Sequence, residues 1–271
     1  MKSQKELSID TTLIEALEAF KLSGLAMKGL KLLLADEEVL AAQEFANTVS
    51  ITRLGINDHG PVHMRIVTSS AVIMMDLLEK AGIKMSLETD GCGNFEDSLL
   101  SVVLAAMLHD IGMSMGRQNH DVHSTFLAHP IITRILDQIY QDDVYKKSMV
   151  RAIALEGIAG HMGNITVSSM EAGIVQIADG CDMTKGRARI PISLGLPPRA
   201  GHIHQFSANS IERVDIASGH EKPVRIDVIM SSEVGLYQVE EVLMHKIAWS
   251  TAKQYIELYA QVVNKEPRRY L

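Results

Sequence analysis

Cysteine and aromatic residues are scarce in this chain of 271 residues. Only two cysteines occur, Cys92 and Cys181, and aromatic side chains make up 4% of the sequence. The two cysteines have neither disulfide nor metal-ligand spacing. This argues against a disulfide framework or a cysteine-based zinc site, and it favours a reducing cytoplasm as the compartment.

Long hydrophobic runs are also missing from the sequence. The longest apolar stretches fall short of the roughly 18–20 residues that a membrane-spanning helix requires. The opening sequence, MKSQKELSIDTTLIEALEAF, is polar and amphipathic, which is unlike a secretory signal. We therefore expect a cytoplasmic protein with no membrane partner.

Positive charge is in deficit, with 26 Lys and Arg against 33 Asp and Glu and a net charge of −7. Because nucleic-acid-binding proteins present a basic surface, this balance argues against a nucleic-acid partner. Hydrophobic residues make up 46% of the chain and charged residues 22%. This composition is typical of a soluble globular protein, and the length is sufficient to bury a full core.

Helical spacing of apolar residues dominates the first two thirds of the chain. The run from residue 98 to 109 is apolar nearly all round, which predicts a central buried helix. Gly24 and Gly82 are predicted helix breaks, and residues 88–97 are a predicted polar loop. Further helices are predicted through residues 13–20, 30–45, 69–81, 120–140, 144–161 and 168–183.

The periodicity changes after Gly186. A stretch rich in proline and glycine leads to alternating segments at residues 213–217 and 224–230, which predict strands. A helix over 235–251 and a strand over 255–263 complete a predicted β-β-α-β unit. We therefore predict a mainly α protein, with a helical domain over residues 1–189 and a small α+β domain over 190–271 that serves interaction or regulation.

An adjacent His-Asp pair closes the predicted central helix. His109 and Asp110 follow the apolar run SLLSVVLAAML, and neither side chain is easily desolvated without a partner. A metal ion would satisfy both side chains at once. Asp179 ends another apolar run and needs a partner for the same reason, so we predict that these three residues bind a metal.

A predicted helical hairpin around Asp142 brings further histidines towards this pair. Residues of antiparallel helices are level when they are equidistant from the turn, and the position level with His161 is near His123. At a rise of about 1.5 Å per residue, His120 lies about 4–5 Å from level, whereas His129 lies about 9 Å away in the other direction. His120 or His123 is therefore expected to share a metal site with His161, and His129 is not.

The motif LHDIG, preceded by a helix bearing His63 and followed by Ile177-Ala178-Asp179, resembles the HD superfamily of metal-dependent phosphohydrolases. The resemblance covers residues 50–189, and the sequence from IADG through GRARIP is similar to an uncharacterised archaeal and bacterial branch. It implies a helical bundle, the HD domain. The metal ligands that it implies are His63, His109, Asp110, His120, His161 and Asp179.

The HD-GYP branch of this superfamily differs from the chain in two places. A carboxylate that can bind an additional metal occupies the position of His59 in that branch, so His59 is a candidate ligand here. The sequence His161-Met162-Gly163-Asn164 stands where the GYP segment would begin, and hydrolysis of cyclic di-GMP is therefore not implied. The remaining histidines are interpreted as core or surface residues: His129, His202, His204, His220 and His245.

Imidazole and carboxylate ligands suit transition metals better than calcium. We expect one or two divalent ions from among Mn, Fe, Ni, Co, Zn and Mg, with Asp110 bridging if two are bound. The implied reaction is hydrolysis of the phosphate ester of a nucleotide or another small metabolite. Metal ions would polarise the phosphoryl group and lower the pKa of a bound water, which Asp110 would help to deprotonate.

Four basic residues are candidates for binding the phosphate, because arginine matches phosphate oxygens bidentately. They are Arg117, which is also a candidate catalytic residue, Lys185, Arg187 and Arg189.

The same set of metal ligands is also compatible with two other functions: a di-iron oxygenase of the HD type and a non-catalytic nucleotide-sensing module. The uncovered face or edge of the small sheet is expected to pack on the helical domain or to form a homodimer.

Overall fold

Helices make up most of the protein, which confirms the predicted mainly α fold class. The computed structural model describes residues 2–20, 22–187 and 203–271, apart from the side chains of residues 204 and 205. The helices before the small sheet are α1 (Gln4–Glu18), α2 (Gly24–Ala35), α3 (Glu37–Thr48), α4 (Pro61–Lys80), α5 (Ser86–Thr89), α6 (Phe95–Leu108), α7 (His120–Tyr140), α8 (Val144–Gly160) and α9 (Met170–Cys181).

The central helix of the bundle is α6. Its residues from Ser98 to Leu108 are all buried, as the continuous apolar run predicts. It packs against α2, α4, α8 and α9, so the residues that follow its last turn are delivered into the middle of the bundle. The short 3₁₀ turn Ile111–Met115 then connects α6 towards α7.

Two predicted helix starts differ from the structure. The predicted loop over residues 88–97 is shorter, because α5 occupies its beginning and Asn94 starts α6 in a reciprocal capping box with Asp97. Helix α4 begins at Pro61, eight residues before the predicted start at residue 69. The Asp58 carboxylate accepts the N–H of Gly60, the residue before this helix, at 2.7 Å.

The last described part of the chain forms a four-stranded sheet in the order β1 (Ile211–Ser218), β2 (Val224–Met230), β3 (Ile256–Val262) and β4 (Arg268–Arg269). Strands β1 and β2 are antiparallel, whereas β2 and β3 are parallel. The predicted strand over 224–230 coincides with β2, and the two-residue β4 was not predicted because it is too short to show a period. Two helices accompany the sheet, α10 (Ile203–Asn209) and α11 (Met244–Trp249).

A helical connection joins the parallel strands β2 and β3. A π-helical turn, Gln238–Leu243, continues directly into α11, and we call residues 238–249 the crossover segment. This segment packs on α9, while β1 and β2 contact α4. The buried apolar residues of the sheet and of the helices form one core. The predicted domain boundary at residues 189 and 190 lies outside the described residues.

Helix α4 and the stretch Phe95–Met115 are long and apolar enough to cross a membrane when judged by length and composition alone. However, 61% and 89% of their most apolar stretches are buried inside the protein. Burial of this extent is what core helices of a soluble protein show. Both helices are accounted for by the core of the bundle.

Candidate metal centre

Six imidazole and carboxylate side chains, carried by different helices, meet in the middle of the bundle. His63 lies in the first turn of α4, the His109-Asp110 pair follows α6, and His120 opens α7. His161 directly follows α8, and Asp179 lies in the last turn of α9. All six residues are buried. These are the six residues that the sequence predicted as metal ligands.

The orientation of each imidazole ring is fixed through Nδ1. In His109, His120 and His161, Nδ1 lies 2.8, 2.9 and 2.7 Å from the carbonyl oxygen three residues earlier. Because a carbonyl only accepts, each Nδ1 carries the proton. In His63, Nδ1 lies 2.7 Å from Oδ2 of Asp182. Hydrogen bonding of one nitrogen is how proteins prepare the other nitrogen as a metal ligand.

The Nε2 atoms of these four rings converge in two pairs. His63 and His109 have their Nε2 atoms 3.1 Å apart, and those of His120 and His161 are 3.2 Å apart. With the Nδ1 atoms protonated, each pair would place two lone pairs face to face. A proton or a metal ion must therefore lie at each pair, and the donor set of imidazole and carboxylate suits a transition metal.

The carboxylate of Asp110 lies between the two imidazole pairs. Its Oδ2 is 3.2 Å from Nε2 of His63 and 3.5 Å from Nε2 of His109. Its Oδ1 is 3.2 Å from Nε2 of His120 and 3.3 Å from Nε2 of His161. Each oxygen thus faces a different pair, which is the orientation required of a carboxylate shared between two cations.

The second carboxylate, Asp179, faces the centre with one oxygen only. Its Oδ1 lies 3.2 Å from Nε2 of His63 and 3.7 Å from Nε2 of His109, whereas Oδ2 accepts a hydrogen bond from Lys246. Three sets of residues have ligand atoms that all lie within 4.8 Å of one another: His63, His109 and Asp110; His109, His161 and Asp179; and Asp110, His120 and His161.

Electrostatics keep both carboxylates ionised. Burial alone would raise their pKa values, but the neighbouring imidazoles, and Lys246 beside Asp179, hold both pKa values well below the usual range. Burial acts to lower the pKa of His63, and hydrogen bonds to its carboxylate partners override it and raise that pKa to about 10. Burial lowers the pKa of His109 to about 3. Without a metal, His63 therefore carries a proton that a bound cation would displace, while His109 is neutral and both carboxylates are ionised.

The other candidate histidines lie outside these sets of ligand atoms. His59 lines the adjoining cavity with Nε2 2.9 Å from Nη1 of Arg117. Of the two histidines considered on α7, His120 reaches Asp110 and His161, whereas His123 does not. His129, which the comparison of heights along the helical hairpin places away from the site, is exposed.

A cavity of about 600 Å³ opens directly onto the centre, a volume suited to a small organic ligand. Asp110 and Asp179 line it, together with three cationic residues, Arg117, Arg187 and Lys246. Apolar and amide side chains supply much of the remaining lining, among them Ile56, Asn57, Met162, Asn164 and Val242. An anionic group bound near the centre would therefore meet cations on several sides.

Of the four predicted phosphate-binding residues, Lys185 does not line the cavity. Lys185 lies at the surface, where its ammonium group is paired with Glu212, so the structure corrects that prediction. Arg189 lies outside the described residues. Arg187 lies beside the centre, with Nη2 3.1 Å from Nε2 of His63.

Three residues of the site were missed by the sequence analysis. Asp182 lies one helical turn after Asp179, and that spacing was its signal. His245, interpreted from the sequence as a core or surface residue, lines the cavity. Lys246 is buried among the apolar positions Val239 and Leu243 of the crossover segment, and a lysine on an apolar helix stripe was a signal that it has a partner.

The glycine of LHDIG allows the turn after α6 to approach α7. A Cβ atom on Gly112 would lie 2.2 Å from the backbone oxygen of His120 and 2.4 Å from the backbone nitrogen of Ser124. The Gly112 N–H also donates to the Ser124 hydroxyl at 2.8 Å. A side chain at this position would displace the helix start that carries His120.

We expect Gly112→Ala to lower stability by about 1–3 kcal/mol, as overpacking does, and to reduce metal occupancy. Thermal unfolding and metal analysis of the same preparation measure both effects. Gly24→Ala is the control, because its nearest neighbouring atom, on Glu96, lies 3.4 Å from the new Cβ. Wild-type stability and metal content in Gly112→Ala would contradict the close-packing explanation.

A helical bundle that gathers a His-Asp pair with three further histidines and a distant aspartate is the arrangement of an HD domain. The family model described as HD domain matches residues 63–184, and the chain belongs to the HD superfamily. It is 43% identical over 235 residues to an uncharacterised protein of Methanocaldococcus jannaschii. The aligned residues make up 87% of this chain and 88% of that relative. No solved structure matches the chain.

The match to the archaeal protein is longer than the HD domain itself. Its 235 aligned residues exceed the span of residues 63–184, so the two proteins share more of the chain than the metal-binding domain. HD domains bind divalent metals, and the buried histidine and aspartate groups described above are able to hold such an ion.

Proposed function

We propose that this protein is a metal-dependent phosphohydrolase that cleaves the phosphate ester of a nucleotide or another small metabolite. The observation that carries the proposal is the position of Asp110, whose two oxygens face separate imidazole pairs beside a cation-lined cavity. Divalent metals bound there would polarise the phosphoryl group and supply an activated water. We further propose two ions, with Asp110 shared between them.

The protein's own residues account for the recognition of an anionic ester. Arg117 and Arg187 line the cavity from two sides, and their planar guanidinium groups match the oxygens of a phosphate. Asp110 is the carboxylate in position to orient the attacking water and to accept its proton. The amide and apolar walls leave room for the organic part of the substrate.

The test begins with metal analysis of protein purified without chelator, followed by a panel of phosphate monoesters, diesters and nucleotides with Mn, Mg, Fe, Co and Ni. We expect at least one bound transition metal and hydrolysis of one class of ester. Consumption of oxygen by an iron-loaded protein would replace the hydrolase assignment with the oxygenase. Tight nucleotide binding without turnover under every metal would replace it with a sensing function.

Arg117 provides a separate prediction about substrate binding. Removing a charged hydrogen bond to phosphate costs about 1.5–3 kcal/mol, so Arg117→Met should raise the KM for the ester found in the panel by about 10–100-fold. Metal content should not change, because the Arg117 carbonyl oxygen that orients His120 is part of the backbone. Lys185→Met, which removes a cation paired with Glu212 outside the cavity, is the matched control and should keep the wild-type KM.

We also propose that the protein is a homodimer in a cytoplasmic setting. The exposed edge strand β1 alternates half-buried and exposed residues, and such an edge can pair with a second chain. Light scattering of the full chain is expected to give twice the mass of one chain. A mass of one chain over the accessible concentration range would contradict the dimer.

A further inference from the structure

We infer that Lys246 is a positioning residue of the metal centre, which holds one oxygen of Asp179 away from the other ligand atoms. In this arrangement Asp179 offers the metal a single oxygen. The inference rests on the metal centre proposed above and extends it beyond the HD domain, because Lys246 lies outside the matched residues 63–184.

The contacts of Lys246 divide the two oxygens of Asp179 between different partners. The buried ammonium group donates to Oδ2 of Asp179 and, at 2.7 Å, to the carbonyl oxygen of His161. The other oxygen, Oδ1, lies 3.2 Å from Nε2 of His63. The Lys246 ammonium group thus links the end of α8 to the last turn of α9. This contact fixes the rotation of the Asp179 carboxylate.

Helix α9 is shaped to receive the segment that carries this lysine. Gly173 and Gly180 lie seven residues apart, which is two turns of one helix face. A Cβ atom on Gly173 would lie 2.3 Å from Oγ1 of Thr251, and one on Gly180 would lie 3.1 Å from Cδ of Lys246. The Ser250 hydroxyl also donates to the Gly173 carbonyl oxygen at 2.9 Å.

Packing alone does not explain a lysine at this position. Desolvating an ammonium group is expensive, and replacing buried ion pairs with apolar side chains is often neutral or stabilising. A methionine or leucine between Leu243 and Ile247 would fill the same space on the apolar face. The lysine is explained by a requirement for its charge beside Asp179.

The contact between Lys246 and Asp179 would leave one coordination position of a bound metal open. Catalytic metal sites leave at least one position to water or substrate. If Oδ2 of Asp179 were free, the carboxylate could bind through both oxygens and occupy such a position. By binding Oδ2, Lys246 keeps that position available on the cavity side.

The experiment compares Co²⁺-loaded wild type with Lys246→Met, Lys246→Arg and Lys253→Met, using visible absorption and metal analysis. We expect Lys246→Met to retain its Co²⁺ but to show weaker visible bands, since absorption weakens as coordination number rises. Its kcat should fall by about 10–100-fold, the usual range for residues that orient ligands, with KM within about threefold of wild type. Lys246→Arg should keep the wild-type spectrum, and so should Lys253→Met, which alters an exposed residue.

A wild-type spectrum and kcat in Lys246→Met would overturn the inference, and so would a Lys246→Arg protein that behaves like Lys246→Met. If Lys246→Met does not fold, Gly180→Ala provides the test, because its new Cβ presses on the Lys246 side chain. Weakened bands there support the inference, and an unchanged spectrum overturns it. A wild-type chain that binds no Co²⁺ overturns the proposed metal centre and this inference together, whereas a spectral change without phosphatase activity overturns only the proposed reaction.

Discussion

Asp110→Ala is expected to lose its bound metal and to lower hydrolysis by at least about 10³-fold, with helical content unchanged. Asp110 places one oxygen beside His63 and the other beside His120, so its removal takes a ligand atom from both imidazole pairs. It also removes the negative charge that compensates a cation in a buried site. The fold should persist because α6 is held by the buried apolar residues that run up to Leu108.

Metal analysis and far-ultraviolet circular dichroism measure these outcomes on one preparation. His129→Ala is the control, because His129 is exposed on α7 and outside the sets of ligand atoms. It should retain wild-type metal and activity. Stoichiometric metal in a folded Asp110→Ala protein would contradict the assignment of the centre.

His120→Ala and His161→Ala are each expected to remove about one metal equivalent and to leave the other. Their Nε2 atoms lie 3.2 Å apart and 3.2 and 3.3 Å from Oδ1 of Asp110, so they form one pair. His63 and His109 lie beside the opposite oxygen and keep their own carboxylate contacts. Because each substitution removes one ligand from one pair only, the ion at the other pair should bind with reduced affinity but measurable stoichiometry.

Turnover should fall by at least about 10²-fold in both variants, since one of two ions that stabilise an in-line displacement is missing. Inductively coupled plasma analysis after gel filtration gives the metal equivalents. His120→Ala tests the number of ions more directly than His161→Ala, because His120 belongs to one set of ligand atoms whereas His161 belongs to two. Two retained equivalents in His120→Ala, or loss of metal in His129→Ala, would show that the proposed pairing is wrong.

The central helix and the helical hairpin could be predicted from the sequence because both depend on local patterns. The apolar run before His109 defines a buried helix, and the length of the hairpin alone places His120 closer to His161 than His129. The sequence leaves open whether His120 or His123 is turned inward. In the structure His120 is turned inward, because tertiary packing sets the rotation of α7 about its axis.

The contribution of the crossover segment could not be predicted, because it depends on how distant elements dock. Nothing in the local pattern around Lys246 states that α9 lies against it. The two glycines of α9 become informative only once their neighbours are known. Similarly, α4 extends back to Pro61, after a turn in which the Asp58 carboxylate accepts the Gly60 N–H group, and the apolar spacing of residues 69–81 does not indicate that start.

The order of the metal ligands along the chain has a consequence for biosynthesis. The last of the six, Asp179, is translated well before Lys246 and before β3, the strand that fixes the far end of the crossover segment. Since amino-terminal parts of a chain fold first during synthesis, an unfinished polypeptide would already hold a complete ligand set with Asp179 unrestrained. Metal capture would then precede the final adjustment of the centre, and only a fully translated chain would reach its working geometry.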